Sequence, residues 1–158
     1  MAQQFPALEG KHIALIGGQK IFFVGSAALS GRVNISPKGM GCFRVLAPDK
    51  VAYLDVTGSG NETAAHLLTS PDSRLTVMFC AFDGAPVILR LYGRGTALMR
   101  GSDGYRGLIA GFEELPGARQ IVTLDVDLVQ TSCGMAVPLY DYKTDRDNLK
   151  RYWTERGT

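Results

Sequence analysis

Histidine, cysteine and tryptophan are scarce in this chain, with two, three and one in 158 residues. Cys42, Cys80 and Cys133 are odd in number and far apart, with no C-x-x-C pair. That excludes a disulfide framework and a structural zinc site, so no metal is expected and a reducing, cytoplasmic setting fits best. An excess of charge of one sign is lacking too: 17 Lys plus Arg stand against 15 Asp plus Glu, a net +2. The basic residues are scattered singly and not interleaved with aromatics, so no nucleic-acid footprint is expected. No apolar run approaches the roughly 18 residues of a membrane span, and Met1 to Ala7 carries no basic residue and leads into no apolar segment. Neither a membrane helix nor a signal peptide is expected.

What is abundant is glycine, 19 of 158 residues or about 12%, against a usual value near 7%. Such a backbone is either rich in tight turns or brought close to something. With 46% hydrophobic residues and no repeats or linker-like tracts, the chain reads as a single domain over 1–158, long enough to build its core without covalent staples.

Pro6 to Gln19, with Leu8, His12, Leu15 and Ile16 at helical spacing and Gly17-Gly18 as a stop, predicts a short helix over about 6–18. Ile21–Gly25 and Val33–Ser36 predict a hairpin around Ser30-Gly31, with Pro37 ending the pairing. Phe43–Leu46 and Val51–Val56 predict two strands around Pro48-Asp49. Ser59-x-x-Glu62 and Asn61 then announce a helix with Ala64, Leu67 and Leu68 as its apolar stripe. Arg74–Phe82 reads as a strand buried on both faces, Val87–Met99 as a long strand carrying Gly93 and Gly95, and Ser102-Asp103 as the cap of a weak helix through Phe112. Gln120–Gln130 alternates as a half-buried strand with Asp125 and Asp127 on its solvent face, and 144–155 predicts a charged final helix. Mostly antiparallel strands with inserted helices argue for a mainly β fold, a split antiparallel barrel with a few peripheral α-helices.

Two segments carry the candidate chemistry. Thr57 to Thr63 (TGSGNET) is a glycine-rich strand-to-helix turn whose free N–H groups and helix end suit an anion. The commoner use of such a segment is a tight turn with Ser59 or Asn61 as cap, and it is neither a P-loop nor a dinucleotide fingerprint. Ser36-Pro37-Lys38-Gly39 holds a lysine at a strand tip, where it either reaches a phosphate or is merely solvated. The two segments form one anion site if their strands are neighbours in a barrel.

QKIFFVGSAALSGRVNISPKG, VAYLDVTGSGNETAAHLLTSP, LTVMFCAF and ILRLYGRGTAL together resemble the pyridoxamine 5′-phosphate oxidase-like split barrels from about Gln19 to Met99. The tail from Ser132 to Pro138 is similar to uncharacterised bacterial members. The resemblance implies a homodimer with FMN at its interface, acting as an oxidoreductase on a small molecule, with the flavin carrying the electrons. By that likeness Lys38, Asn61 and Thr63 hold the phosphate, with Gly60 and Glu62 in the same loop. Thr57 and the Val56 backbone meet the isoalloxazine end, and Asn34 with Ser36 lies near the ribityl chain. Val33 stands where the family has an arginine, and Glu62 and Thr63 where it has arginine and lysine, so fewer cations surround the phosphate. The alternative is a non-catalytic module carrying flavin, coenzyme F420 or haem. Arg90, which shares a strand face with Arg94, is a further candidate at an interfacial site. Cys133 is expected to be a small buried cysteine, and His12 and His66 satisfied or surface residues of their helices. Trp153 is expected to pack over a flavin or partner subunit, or to anchor the last helix.

Overall fold

All seven strands anticipated from the alternation form, and a short additional one joins them. The computed structural model describes residues 2–157; Met1 and Thr158, the ends of the expected domain, lie outside the described residues. The elements are β1 (Gln3–Phe5), α1 (Gly10–Gly18), β2 (Phe22–Ser26), β3 (Asn34–Lys38), β4 (Phe43–Ala47), β5 (Lys50–Val56), α2 (Glu62–Thr69), β6 (Arg74–Cys80), β7 (Val87–Met99), α3 (Asp103–Ile109), β8 (Ala118–Cys133) and α4 (Asn148–Thr154). Every pairing is antiparallel, and the order β3-β2-β6-β7-β8-β5-β4 leaves β3 and β4 as two edges that no hydrogen-bonded ladder joins. The result is a split barrel.

Its core is one cluster, built from alternate residues of β2, β6 and the first part of β7 and from consecutive residues of β5 and β8. Val24, Val77, Leu89, Leu91, Ile121, Val122 and Val129 are fully buried. Across the open seam the edges meet through rings. Phe22 on β2 packs edge-on against Phe43 on β4 at 5.0 Å and against Tyr53 on β5 at 5.7 Å, and Phe79 on β6 meets Phe43 edge-on at 5.1 Å. Aromatic burial therefore does at the seam what hydrogen bonds do elsewhere in the sheet. Between Tyr92 and Gly93 the β7–β8 register shifts by a bulge, and a side chain on Gly93 would lie 1.9 Å from the carbonyl oxygen of Asp125. Glycine is required there because the two backbones nearly touch.

Several sequence expectations need correction. Pro37 does not end β3 but lies inside it, opposite Phe23; β3 is an edge strand, so its missing N–H falls on the unpaired side and costs no ladder bond. β6 buries one face along its length, through Leu75, Val77 and Phe79, while on the other Thr76 and Met78 stay half-exposed and Cys80 at the strand end is buried. β8 runs from Ala118 to Cys133. Its first half, Gln120 to Leu124, is buried on both faces, and only Asp125 and Asp127 keep the expected exposure. Helix α1 starts at Gly10, where the N–H of Glu9 donates to His12 Nδ1 at 3.0 Å, and α4 starts at Asn148 and not at Thr144. Helix α3 stops at Ile109, short of Phe112, and Leu68 on α2 faces solvent instead of joining the stripe of Ala64 and Leu67. Strand β1 has no apolar alternation of its own. It is recruited by Val129 to Thr131 of β8, which extend beyond the residues that β5 pairs. Among the described residues no helix is long and apolar enough to cross a membrane.

Candidate functional site

Asp55 is the one carboxylate in the otherwise apolar run of β5, and strands disfavour aspartate unless something compensates it. Here the compensation comes from both sides of the seam. Lys38 Nζ on β3 lies 2.6 Å from Asp55 Oδ1, and Arg119 Nε at the start of β8 lies 2.8 Å from Oδ2. Gln120 Nε2 donates to the same Oδ2 at 2.8 Å and to Asn61 Oδ1 at 2.8 Å. Arg119 Nη2 also donates to the carbonyl of Gly60 at 2.7 Å, so the glycine loop is tied to the ion cluster. The Asp55 side chain is 4% exposed, whereas Lys38 and Arg119 retain 23% and 20%. The carboxylate is thus the floor and the two cations the rim. Burial pushes the Asp55 carboxyl up, but the Lys38 charge and the hydrogen bonds from Lys38, Gln120 and Arg119 outweigh it and hold the group below the ordinary aspartate value.

A second polar row runs from this cluster along the inner side of β3. Asn34 Nδ2 donates to Ser36 Oγ at 3.1 Å and to Thr63 Oγ1 at 3.3 Å. Thr63 also hydrogen-bonds the hydroxyl of Tyr53, which burial, Asp55 and Cys42 keep protonated well above its usual range. Cys42 nearby is likewise inert, its thiol pushed up to about 12 chiefly by burial. Ser26 Oγ and His66 Nδ1 pair at 3.0 Å under α2.

Ser36, Lys38, Asp55, Gly60, Asn61, Glu62, Thr63 and Arg119 line one small cleft of about 20 Å³, room for about one water. Glu62 crowds the glycine in its wall: its carboxylate lies 2.3 Å from the position that a Cβ on Gly60 would take. Gln120 Oε1, buried beside Asp55 and Asn61, has no hydrogen-bond partner among the described residues. Lys38 also lines a second, much larger cavity of about 670 Å³ between the β2 and β3 edge and the chain from Tyr140 to Leu149. Phe82, Tyr140 and Tyr142 form aromatic walls there. The Tyr140 N–H donates to the Phe82 carbonyl at 2.8 Å, and their rings lie 5.5 Å apart. Farther on, Trp153 Nε1 donates to the Thr57 carbonyl at 2.7 Å, and its ring sits against Gly117.

Of the residues singled out from sequence, Asn34, Ser36, Lys38, Gly60, Asn61, Glu62 and Thr63 come together. They meet across the seam and not through neighbouring strands, since β3 and β5 lie near opposite ends of the sheet path. Asn61 precedes α2 but its side chain does not cap the helix; Gln120 holds it instead. Thr57 turns its hydroxyl to the carbonyl of Gly117 at 2.9 Å, away from the cleft, and Val56 ends β5 without lining it. Arg90 points outward, between the buried Leu89 and Leu91, and donates to Ser132 Oγ at 2.9 Å. Arg94 sits beside Asp72 at the surface. Cys133 is exposed, contrary to expectation, while Cys42 and Cys80 are buried and all three are free. Sequence reasoning missed Asp55, Arg119 and Gln120. The signal for Asp55 was its charge inside VAYLDV; nothing in the alternation of β8 marked Arg119 as its partner.

The family model for pyridoxamine 5′-phosphate oxidase matches residues 8–133. The chain belongs to the pyridoxamine 5′-phosphate oxidase family. A curated member of that family, ustO of Aspergillus flavus, is 47% identical over 132 residues, covering 80% of this chain and 52% of its own length. The chain thus spans about half the length of that relative. Solved structures of the same fold include a putative pyridoxamine 5′-phosphate oxidase from Lactobacillus delbrueckii (TM-score 0.60, 16% identity, 79% of this chain and 94% of that one). The FAD binding protein of Mycobacterium smegmatis matches at TM-score 0.56 and 12% identity over 81% and 97% of the two chains. HutZ, the haem storage protein of Vibrio cholerae, matches at TM-score 0.52 and 15% identity over 82% and 98%. At these identities the structural likenesses show the fold alone.

Proposed function

We propose that this member of the pyridoxamine 5′-phosphate oxidase family is an FMN-binding homodimer that acts as an oxidoreductase on a small molecule in the cytoplasm. The observation that carries the reading is the junction at Lys38: a small cleft whose rim cations match a phosphate in charge lies beside an aromatic-walled cavity whose volume suits a ring system. Three free cysteines favour a reducing compartment.

The residues present fit the phosphate end of such a cofactor in kind, two cations with the amide and hydroxyl of Asn61 and Thr63. In size the cleft fits only once the exposed Glu62 side chain swings away from Gly60. When bound, FMN supplies the electron-accepting chemistry. The chain's own part is to bind, orient and exclude water: Lys38, Asn61 and Thr63 hold the phosphate, and Asn34 and Ser36 offer hydrogen bonds along β3. Tyr53, kept protonated, contributes a neutral hydroxyl and no base.

A second reading, a non-catalytic module for flavin, coenzyme F420 or haem, is favoured by the two carboxylates, Asp55 and Glu62, that offset Lys38 and Arg119 in the cleft. Titration with FMN followed by flavin fluorescence, and an absorption spectrum of the protein as purified, test the first reading; a colourless protein that leaves FMN emission unchanged overturns it. Reduction of bound flavin by a nicotinamide donor, followed by reoxidation with a panel of acceptors, separates the two, since the module binds without turning over.

A further inference from the structure

Lys38 alone is a weak phosphate site, because a single ammonium is a point charge with no preferred approach. Arg119 changes this. It reaches the same carboxylate from the opposite side of the seam, so the two cations stand on one floor at 2.6 and 2.8 Å from its two oxygens. Neither cation is sealed in, and both line the cleft with Asn61 and Thr63. Arg119 spends Nε on Asp55 and Nη2 on the Gly60 carbonyl, and a guanidinium carries five donors. The other occupant of the cleft is a carboxylate of the protein. Glu62 is exposed at the first turn of α2, yet its carboxylate folds back against Gly60 in the lining of the same cleft.

We propose that Arg119 is the second cation of the cleft's anion site, binding the phosphate-monoester end of a ligand together with Lys38. In the proposal Glu62 is a resident counter-charge that the ligand must displace, and Asp55 a permanent one that fixes both cations. This rests on the phosphate-binding part of the function proposed above and names the residue that replaces the arginine absent at Val33. Two consequences follow from charge alone. The site distinguishes ligands by their phosphate, since Lys38 and Arg119 are the cations of its lining and a ligand without an anionic end gains nothing from them. Its affinity is set partly by how readily the Glu62 carboxylate leaves.

The test compares FMN with riboflavin, which lacks only the phosphate, and adds inorganic phosphate as a third probe, each titrated into the full chain and into Arg119→Ala, Arg119→Lys and Glu62→Gln. Losing a charge-assisted hydrogen-bond partner weakens binding by about 10- to 100-fold, so Arg119→Ala is expected to lose that much affinity for FMN and none for riboflavin. Arg119→Lys falls between. Glu62→Gln, a surface change that leaves the fold intact, is expected to tighten FMN and phosphate and to leave riboflavin unchanged. Equal losses for FMN and riboflavin in Arg119→Ala, or no response of FMN to either Arg119→Ala or Glu62→Gln, overturn the proposal while leaving flavin binding standing. Phosphate binding that depends on Arg119 in a protein that ignores both flavins supports the proposal and overturns the flavin reading. A chain that binds none of the three probes overturns both.

Discussion

The barrel has two halves held together by different physics. On the closed side, β6, β7, β8 and β5 pair continuously, β7 and β8 along thirteen register positions, and bury aliphatic side chains completely. On the open side, β3 and β4 share no ladder, and a ring cluster and an ion cluster bridge the gap. Hydrophobic packing is indifferent to what lies beside it, whereas an ion cluster at a seam is specific and exchangeable: any group that offers Lys38 and Arg119 better partners competes with Asp55. Stability is concentrated on one side of the molecule and the capacity to bind on the other.

The contrast breaks most severely at its apolar end. Phe79→Ala, which empties the place between Phe22 and Phe43, is expected to cost about 3–5 kcal/mol in denaturant unfolding and to weaken both halves at once. At the polar end, Asp55→Ala leaves two partly buried cations facing each other; removing one partner of a buried pair costs about 3–5 kcal/mol, and the exposure of Lys38 and Arg119 places this change at or below the lower bound. Asp55→Asn, which keeps the hydrogen bonds possible, is expected to cost less than Asp55→Ala in the same measurement.

The same group sharpens the comparison through pH. Its folded-state value lies below the unfolded one, so its stabilisation is present in full above the ordinary aspartate value of about 3.9 and is lost as pH falls through the folded value. Melting temperatures of wild type and Asp55→Asn should therefore converge in acid and stay parallel at neutral pH; a constant gap across the whole range would remove the ion cluster from the account. The smallest effect belongs to the surface pair Arg94 and Asp72 on the closed side, 4.0 Å apart and well exposed. Arg94→Ala is expected to shift stability by less than about 1 kcal/mol.

How much of this was legible in sequence follows the same division. Strands of the closed side announce themselves by apolar runs or alternation, because each buries at least one row of side chains, and Val87–Met99 is read to the residue. The ends of elements are less legible. Pro37 signals a strand stop in any local reading, and only the knowledge that β3 is an edge makes it harmless. Helix α4 was expected four residues early because the charged run from Thr144 to Asp147 resembles a first turn, yet the chain there is irregular and walls a cavity instead. In the candidate site, the residues of one segment at a time were visible: Ser36 and Lys38, then Asn61 and Thr63. What was not visible is the partner drawn from elsewhere, since the Asp55–Arg119 pair joins positions 64 apart in the chain. Pairing of that kind is a property of the topology and leaves no local mark.

Trp153 is the chain's only tryptophan, and its indole N–H is bonded to the carbonyl that opens the glycine loop while its ring covers Gly117, a residue at φ +76° whose Cβ, if it had one, would lie 2.4 Å from that ring. The molecule therefore carries a built-in optical probe. One emission spectrum reports whether the carboxy-terminal helix is seated, and because the seat is the loop itself, any ligand that rearranges the loop changes the colour or intensity of that light without a label. Gly117→Ala unseats the ring and so supplies the reference spectrum of the detached state, at a backbone cost of about 1 kcal/mol or more.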